Sequence, residues 1–205
     1  MLKTKIAVFV SGGGTNLQAL LDAQGREEIP SGEIVLVVSS SRGAYALKRA
    51  ENAGVEAVVC SRRELGTQER FEEAICRELE RHGVQLIILA GFLSILSEAF
   101  TRRYAGRIIN VHPSLIPSFC GKGYYGLRVH EEALHRGVKV TGATVHFVNE
   151  IPDGGRIILQ KAVEVLPDDT PQTLQRRVME QAEWVLLPRA AEIVARQISE
   201  GGSMI

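Results

Sequence analysis

Hydrophobic residues in the first half of the chain alternate between two patterns. Short β-branched runs are typical of buried strands, and apolar residues spaced three and four apart are typical of helices with one buried face. In one such helix Phe71, Ile75 and Leu79 share a face, and Gly83 follows its end. The predicted strands are residues 6–10, 34–38, 55–59, 86–90 and 107–111, and the predicted helices are residues 15–23, 44–53, 67–82 and 97–104. This alternation predicts an α/β fold with an open, mostly parallel twisted sheet and helices on both of its faces.

The pattern changes after the fifth strand. Residues 113–126 hold two prolines and three glycines, which predicts a loop whose length favours a functional role. A helix is predicted over residues 127–135. Residues 138–148 and 156–165 then indicate two longer strands joined by a turn, so antiparallel strands are expected in the C-terminal third.

The last helix has a well-marked beginning. Thr170 is placed to cap it, and Pro171 occupies its first position. One face is predicted to hold Leu174, Val178, Ala182 and Val185. Pro188 predicts a kink further along.

Composition and charge narrow the class of protein. A length of 205 residues suits one domain, so residues 1–205 are expected to form a single domain. The chain is 45% hydrophobic and 23% charged, which is typical of a globular protein. Twenty-four basic residues balance twenty-four acidic ones, which argues against binding nucleic acid or an anionic membrane through overall charge. No apolar run is long enough to span a bilayer, and the cysteines form no disulfide or metal pattern, so we expect a cytoplasmic protein.

A glycine-rich turn follows the first strand. Residues 11–16 read Ser-Gly-Gly-Gly-Thr-Asn, and the glycines let backbone N–H groups converge at a helix N-terminus, where partial positive charge suits a phosphate. The turn is not a dinucleotide fingerprint, because Leu17 stands at the third glycine position. A tight turn capped by Thr15 is the structural alternative, and phosphate binding is the favoured interpretation.

The sharpest local signal is Asn-Val-His-Pro-Ser at residues 110–114. Residues two apart on a strand point to the same side, so Asn110 and His112 project together while Val111 faces the core. Pro113 ends the strand and leaves both polar groups at its carboxyl edge. An amide donor beside an imidazole suits stabilisation of a developing oxyanion combined with proton transfer. The alternative is a hydrogen-bonded pair that only closes the strand.

Asp153 lies in an Ile-Pro-Asp-Gly-Gly segment, and its local pattern is that of a turn residue. A functional role requires it to return over the sheet edge to His112, where it would raise the pKa of the imidazole. His146 has the pattern of a core or site-wall residue, and no histidine has zinc spacing, so no metal site is expected. Glu183 lies one position beyond the apolar face of the last helix, which is typical of a solvated carboxylate.

Taken in order, these stretches resemble the glycinamide ribonucleotide formyltransferase family of purine synthesis. The matching stretches are Ser-Gly-Gly-Gly-Thr-Asn-Leu-Gln at 11–18, Leu-Ala-Gly-Phe-Leu-Ser-Ile-Leu at 89–96, Ile-Asn-Val-His-Pro-Ser-Leu-Ile-Pro at 109–117, Thr-Val-His-Phe-Val at 144–148, and Asp-Gly-Gly at 153–155 with Ile-Leu-Gln at 158–160. No single motif is decisive, but the ordered set spans almost the whole chain and is highly specific. The fold that the resemblance implies is the Rossmann-like formyltransferase fold.

The resemblance implies transfer of the formyl group from 10-formyltetrahydrofolate, as cosubstrate, to the amine of 5′-phosphoribosylglycinamide through a tetrahedral intermediate. Asn110, a protonated His112 and Asp153 match the catalytic trio of the family. The implied substrate contacts are Gly14, Thr15, Asn16, Pro113 and Glu183, and the implied folate contacts are Leu93, Ser94, Ile95, Leu96, Asn149 and Asp153. The expected partners are these small molecules, with no metal, nucleic acid or membrane, in a monomer or a homodimer.

The chain departs from the family pattern in two side chains and one loop. Ser94 stands where many members have an arginine, and Gln68 stands where some relatives have one. The loop at residues 119–126 is longer than the version common in the family. These differences concern the affinity for the folate rather than the type of reaction.

Other classes of protein share part of these features. Formyltetrahydrofolate hydrolases and methionyl-tRNA formyltransferases share the Asn-x-His-Pro core, but they carry a further domain that is not expected here. A reductase that binds NADP would use Gly12 and Gly14 for the pyrophosphate and Arg42 for the ribose phosphate, but it leaves Asn110 and His112 without a role. A non-catalytic nucleotide-binding module would keep its ligand affinity after His112→Ala.

Overall fold

A seven-stranded sheet organises the protein in a computed structural model that describes residues 2–201. The strands are β1 (Thr4–Val10), β2 (Gly32–Ser39), β3 (Glu56–Val59), β4 (Leu86–Leu89), β5 (Ile108–His112), β6 (Val140–Phe147) and β7 (Ile157–Glu164). The helices are α1 (Thr15–Gly25), α2 (Ala46–Asn52), α3 (Arg62–Leu65), α4 (Gln68–Arg81), α5 (Glu98–Arg103), α6 (Leu127–His135), α7 (Pro171–Val178) and α8 (Trp184–Ser199).

The strand order is β3-β2-β1-β4-β5-β6-β7. The first five strands are parallel, whereas β6 is antiparallel to both β5 and β7. The predicted fold class is therefore confirmed, including the antiparallel strands of the C-terminal third.

Hydrophobic cores lie on both faces of the sheet. In the central strand β1, Ile6 and Val8 pack with residues of α1 and α8 on one face. Ala7 and Phe9 point the other way and pack with residues of α4 and α5, among them Phe71. A strand covered on both faces needs apolar residues at every position, which is why it appears in the sequence as an unbroken hydrophobic run.

The C-terminal helices combine a predicted cap with an unpredicted irregularity. Thr170 accepts a hydrogen bond from the backbone N–H of Thr173, whose side chain bonds back to Thr170, so the predicted cap is confirmed. Helix α8 continues through Pro188, and a π-helical turn (Met179–Glu183) joins α7 to α8. This turn shifts the helix face, so the expectation that Val185 lies on the buried face is wrong, and Val185 is 48% exposed. Proline crowds the carbonyl four residues before it, which here belongs to Trp184, directly after the π-helical turn.

The helices and the metal-ligating side chains bear on membrane and metal binding. None of the helices among residues 2–201 is long and apolar enough to cross a membrane. The same residues contain no group of three or more His, Cys, Asp or Glu side chains arranged to hold a metal ion.

Candidate active site

A crevice lies where the strand order changes direction. The chain proceeds outward from β1 to β3 and then places β4 on the other side of β1, and sheets of this type bind ligands at the carboxyl ends of such strands. The loops after β1 and β4 are tied together there, because the backbone N–H of Leu93 donates a 2.8 Å hydrogen bond to Oγ of Ser11. The glycine-rich turn and residues 93–96 therefore form two walls of one crevice.

The end of β5 supplies the third wall. Asn110 is half-buried and His112 is almost completely buried, and both side chains lie on the side of the strand opposite the buried Val111. Asn110 is paired with Leu89 of the parallel neighbour β4 and with His146 of the antiparallel neighbour β6. Strand β5 thus presents an amide and an imidazole at the carboxyl edge, between two flanking strands.

Asp153 returns from the β6–β7 turn to the end of β5. Its backbone is left-handed, with φ of 55°, and the turn is closed by a hydrogen bond from the N–H of Gly154 to the carbonyl of Ile151. Oδ2 of Asp153 lies 3.6 Å from Nδ1 of His112. The turn conformation and the placement beside His112 therefore exist together, and neither excludes the other.

The loop at residues 113–126 holds both of these side chains. Nε2 of His112 donates a 2.9 Å hydrogen bond to the carbonyl of Phe119, and the N–H of Gly121 donates one of 2.8 Å to Oδ2 of Asp153. Since Nε2 carries the proton, Nδ1 of a neutral ring directs its lone pair at the carboxylate of Asp153. Protonation of His112 would convert this unfavourable contact into an ion pair.

Burial controls the pKa of His112. Removal of the ring from water lowers its pKa, and this effect outweighs the charge of Asp153 and the carbonyl of Phe119, which both raise it. Asp153 therefore raises the pKa of His112 in the expected direction, but burial leaves the net pKa below its ordinary value. For Asp153 itself, burial raises the pKa, but His146, His112 and the N–H of Gly121 together lower it below the usual range.

His146 contacts both predicted polar partners of His112. Its Nδ1 donates a 2.7 Å hydrogen bond to the carbonyl of Phe147, and its Nε2 lies 3.3 Å from Nδ2 of Asn110 and 3.5 Å from Oδ1 of Asp153. This residue is absent from the predicted site. Its only signal in the sequence is a polar residue within the apolar stretch of β6, and the register that brings it opposite Asn110 is a property of the folded sheet.

The glycine-rich turn is closely packed at one of its glycines and open at the other two. Gly14 adopts φ of 72° and precedes α1, and a Cβ atom there would lie 2.6 Å from Cβ of Ala46, so only glycine fits. A Cβ atom at Gly12 or Gly13 would meet no heavy atom within 4 Å. The alternative in which Thr15 caps the helix is wrong, because Gly14 occupies the N-cap position and no side chain caps α1.

Asn16 and Glu183 meet beside this turn. Nδ2 of Asn16 donates a 2.7 Å hydrogen bond to Oε2 of Glu183, and Glu183 is only 7% exposed. Burial raises the pKa of Glu183, and the hydrogen bond from Asn16 opposes that shift. The expectation of a solvated carboxylate is wrong. The π-helical turn contains one residue more than an α-helical turn, and this extra residue rotates Glu183 onto the buried face. Oδ1 of Asn16 has no hydrogen-bond partner within residues 2–201.

A cavity of about 180 Å³ opens at the carboxyl ends of β4 and β5. Its lining residues are Leu89, Phe92, Ser94, Ile95, Leu96, Thr101, Asn110, His146, Val148, Asn149, Glu150, Ile151, Pro152 and Asp153. Most of the predicted folate contacts therefore lie together around this cavity. Leu93 is the exception, since its side chain is 67% exposed and only its backbone is tied to the crevice, through Ser11. Pro113 follows β5 directly and is half-buried.

Helix α4 holds the loop that forms one side of this cavity. The carboxylate of Glu72 accepts hydrogen bonds of 2.6 Å from both the backbone N–H and the hydroxyl of Ser97. Gln68 donates to Glu72 and also, at 3.1 Å, to the carbonyl of Ile95. Glu72 was not predicted to have a role, because an acidic residue on an amphipathic helix is usually solvated.

Comparison with protein families and known proteins gives consistent matches. The model of the formyl transferase family matches residues 4–190. Phosphoribosylglycinamide formyltransferase of Haemophilus influenzae is 40% identical over 197 residues, which cover 96% of this chain and 88% of that protein. Trifunctional purine biosynthetic protein adenosine-3 of Gallus gallus is 44% identical over 98% of this chain, but the chain spans only 20% of that protein's length.

Solved structures match as well. Glycinamide ribonucleotide transformylase 1 from Symbiobacterium toebii superposes with a TM-score of 0.88 at 39% identity, covering 95% of this chain and 88% of that one. Phosphoribosylglycinamide formyltransferase from Brucella melitensis gives a TM-score of 0.86 at 40% identity, covering 95% of this chain and 96% of that one.

Proposed function

This chain belongs to the formyl transferase family, and from that premise we propose that it transfers the formyl group of 10-formyltetrahydrofolate to the amine of 5′-phosphoribosylglycinamide. Relatives that it covers over most of their length carry the name phosphoribosylglycinamide formyltransferase, and the trifunctional relatives are purine biosynthetic proteins. The proposed reaction is accordingly a formyl transfer in purine biosynthesis.

One observation supports the proposal most strongly: a glycine-rich turn, a cavity and a buried histidine beside an aspartate all lie at the carboxyl ends of the parallel strands. The glycine-rich turn would take the phosphate, and the 180 Å³ cavity would take the folate. Asn110 and Asp153 line that cavity, and His112 lies 3.6 Å from Asp153 at the carboxyl end of β5. A reductase would need no such amide and imidazole pair.

The proposed reaction begins with attack of the neutral glycinamide amine on the formyl carbon. A carbon–nitrogen bond forms, and the carbonyl oxygen of the formyl group becomes an oxyanion. The amide N–H of Asn110 and the imidazolium of His112 would stabilise that charge, as an oxyanion hole does. The intermediate then collapses: the carbonyl re-forms, and the bond between the formyl carbon and the folate nitrogen breaks. The attacking nitrogen loses a proton and the folate nitrogen gains one, with His112 as the proton carrier, so that tetrahydrofolate and the formylated product are released.

Asp153 has a role in this scheme that depends on the charge of His112. Burial disfavours the imidazolium before the reaction begins, as the direction of the His112 pKa indicates. The oxyanion and the ionised Asp153 together favour it once the tetrahedral intermediate forms. His112 would therefore be stabilised as a cation chiefly at the stage where the cation is useful.

The substrate contacts follow from the same arrangement. Gly14, Thr15 and Asn16 would bind the phosphate at the N-terminus of α1. The buried Glu183 carboxylate, oriented by Asn16, is suited to accept hydrogen bonds from ribose hydroxyl groups. Pro113 would form the wall next to His112.

The folate contacts are proposed at the cavity. Backbone groups of residues 93–96 and the side chain of Asn149 would bind the pterin, because they surround the cavity beside Asn110 and Asp153. Ser94 offers a short hydroxyl where many family members have an arginine, so less charge is available there for the acidic part of the folate.

A direct assay tests the proposal. Purified protein is mixed with 10-formyltetrahydrofolate, and the absorbance change of deformylation is followed with and without 5′-phosphoribosylglycinamide. We expect turnover that requires the ribonucleotide and is lost in His112→Ala but kept in His135→Ala, which changes an exposed histidine at the end of α6. Deformylation without the ribonucleotide would indicate a hydrolase instead. No turnover under either condition would overturn the proposal.

A further inference from the structure

Helix α2 donates hydrogen bonds to two backbone carbonyl groups of the glycine-rich turn. The N–H of Ala46 donates a 3.1 Å hydrogen bond to the carbonyl of Gly12, and Nε of Arg49 donates one of 2.8 Å to the carbonyl of Gly13. The approach is close, because a Cβ atom at Gly14 would overlap Ala46. Two consecutive peptide groups of the turn are thus anchored to the same helix.

This anchoring determines where the N–H groups of the turn point. In a planar trans peptide, the carbonyl and the N–H of the following residue point in opposite directions. Since the carbonyls of Gly12 and Gly13 face α2, the N–H groups of Gly13 and Gly14 face away from it. Neither N–H donates a hydrogen bond to another group among residues 2–201. They are therefore free to bind an anion.

The positive charge of Arg49 is held by neutral partners. Its Nη1 donates a 2.9 Å hydrogen bond to Oε1 of Gln18, and its guanidinium lies 5.1 Å from the centre of the Tyr45 ring. Within residues 2–201 no carboxylate pairs with it at salt-bridge distance, whereas Arg42 and Lys48, close by in sequence, each pair with a glutamate. Its field at the turn is accordingly not cancelled by a direct counterion.

We propose that Arg49 is the positioning residue of the phosphate site: it clamps the Gly13 peptide so that two N–H groups face the substrate phosphate, and it adds a positive charge beside them. The identity of the phosphate as that of the phosphoribosyl substrate rests on the proposed function. The clamp itself rests only on the contacts of Arg49. Arg49 acts through the turn, and it is distinct from the groups placed at the reacting atoms.

The test compares the ribonucleotide with its phosphate-free riboside. In Arg49→Gln we expect KM for the ribonucleotide to rise at least about tenfold, as for loss of a hydrogen bond to a charged group. We expect kcat to change less than about threefold, and KM for the riboside to stay the same, because only the phosphate end is affected. Arg49→Lys should recover part of the affinity, since it restores charge without the Nε donor. Lys48→Gln is the matched control and should behave as the parent protein.

A binding measurement separates this inference from the proposed reaction. Calorimetry with ribose 5-phosphate as the probe should give binding to the parent and at least about tenfold weaker binding to Arg49→Gln, with unchanged unfolding midpoints. If the parent binds the probe in this way without catalysing formyl transfer, the clamp stands and the proposed reaction fails. An equal loss for ribonucleotide and riboside, or no loss for either, would overturn the clamp.

Discussion

Asp153→Asn is the substitution that most directly tests the electrostatic part of the proposed mechanism. Asparagine has nearly the shape of aspartate and readily adopts the left-handed backbone conformation that Asp153 has, with φ of 55°. Its Oδ1 can still accept the hydrogen bond that Gly121 donates. The change therefore removes one negative charge while leaving the loop at residues 113–126 attached.

The distance between the two groups sets the size of the effect. Unit charges 3.6 Å apart interact by about 5 kcal/mol at an effective dielectric constant of about 20. That value is an upper bound, because the side chain of Asp153 is 14% exposed and solvent screens part of its field. We therefore expect kcat to fall by roughly two to three powers of ten, equivalent to about 3–4 kcal/mol. KM for both substrates should stay within about threefold, because the change acts on the intermediate.

The assay is steady-state turnover followed by folate absorbance between about pH 5.5 and 9, with Asp168→Asn as the control for an equal change of charge. Asp168 is exposed and lies in the turn before α7. A value of kcat within about threefold of the parent, with an unchanged pH profile, would refute the reasoning. A large rise in KM with little change in kcat would refute it too, since Asp153 would then serve binding.

Three further predictions concern other parts of the molecule. Glu183→Gln keeps a hydrogen-bond acceptor for Asn16 but removes a buried charge. KM for the ribonucleotide should therefore rise about tenfold, while thermal stability stays equal or increases. An unchanged KM would contradict a substrate contact. Glu72→Ala releases Ser97 and the loop before it, so KM for 10-formyltetrahydrofolate should rise more than kcat falls, whereas the exposed Glu73→Ala should change neither. His130 is completely buried without a hydrogen-bond partner for its ring among residues 2–201, and burial lowers its pKa to about 4. In the unfolded chain the histidine takes up a proton near pH 6.5, whereas in the folded protein it stays neutral down to about pH 4. The neutral His130 therefore contributes fully to stability above about pH 6.5. That contribution, about 3 kcal/mol in all, is lost as the pH falls through the folded-state pKa. Urea unfolding at about pH 7.5 and 4.5 should show a smaller acid loss for His130→Leu, and equal losses would disprove this role.

Much of the fold could be predicted from the order of apolar runs. Strands covered on both faces leave continuous hydrophobic stretches, and β1, β4 and β5 are recognisable for that reason. Asn110 and His112 could be assigned to a strand end because Pro113 marks it. The short helix α3 was not predicted. Its four residues, Arg62–Leu65, bury no side chain and therefore show no apolar periodicity.

The parts of the site that escaped prediction depend on relations between distant segments. His146 meets Asn110 through the register of β5 and β6, and no local pattern determines that register. Glu183 turned inward because a π-helical turn shifted the helix face by one residue. Arg49 reaches the glycine-rich turn because α2 follows the strand next to β1, a consequence of strand order. In each case the role of the side chain depends on how two distant elements are placed relative to each other.

The arrangement around His112 also shows why a buried imidazole is preferable to an exposed one for the proposed reaction. An exposed histidine beside Asp153 would already be charged in the resting site, so the ion pair would stabilise ground state and intermediate equally and would not lower the barrier. Burial shifts the ring toward its neutral form, as the direction of its pKa indicates, and leaves a lone pair directed at the carboxylate 3.6 Å away. The carbonyl of Phe119 keeps the proton on Nε2, so the next proton can be taken up only at Nδ1, on the side of Asp153. An oxyanion beside the ring then favours the cation at the stage where charge develops, and this difference between the two states is what accelerates a reaction.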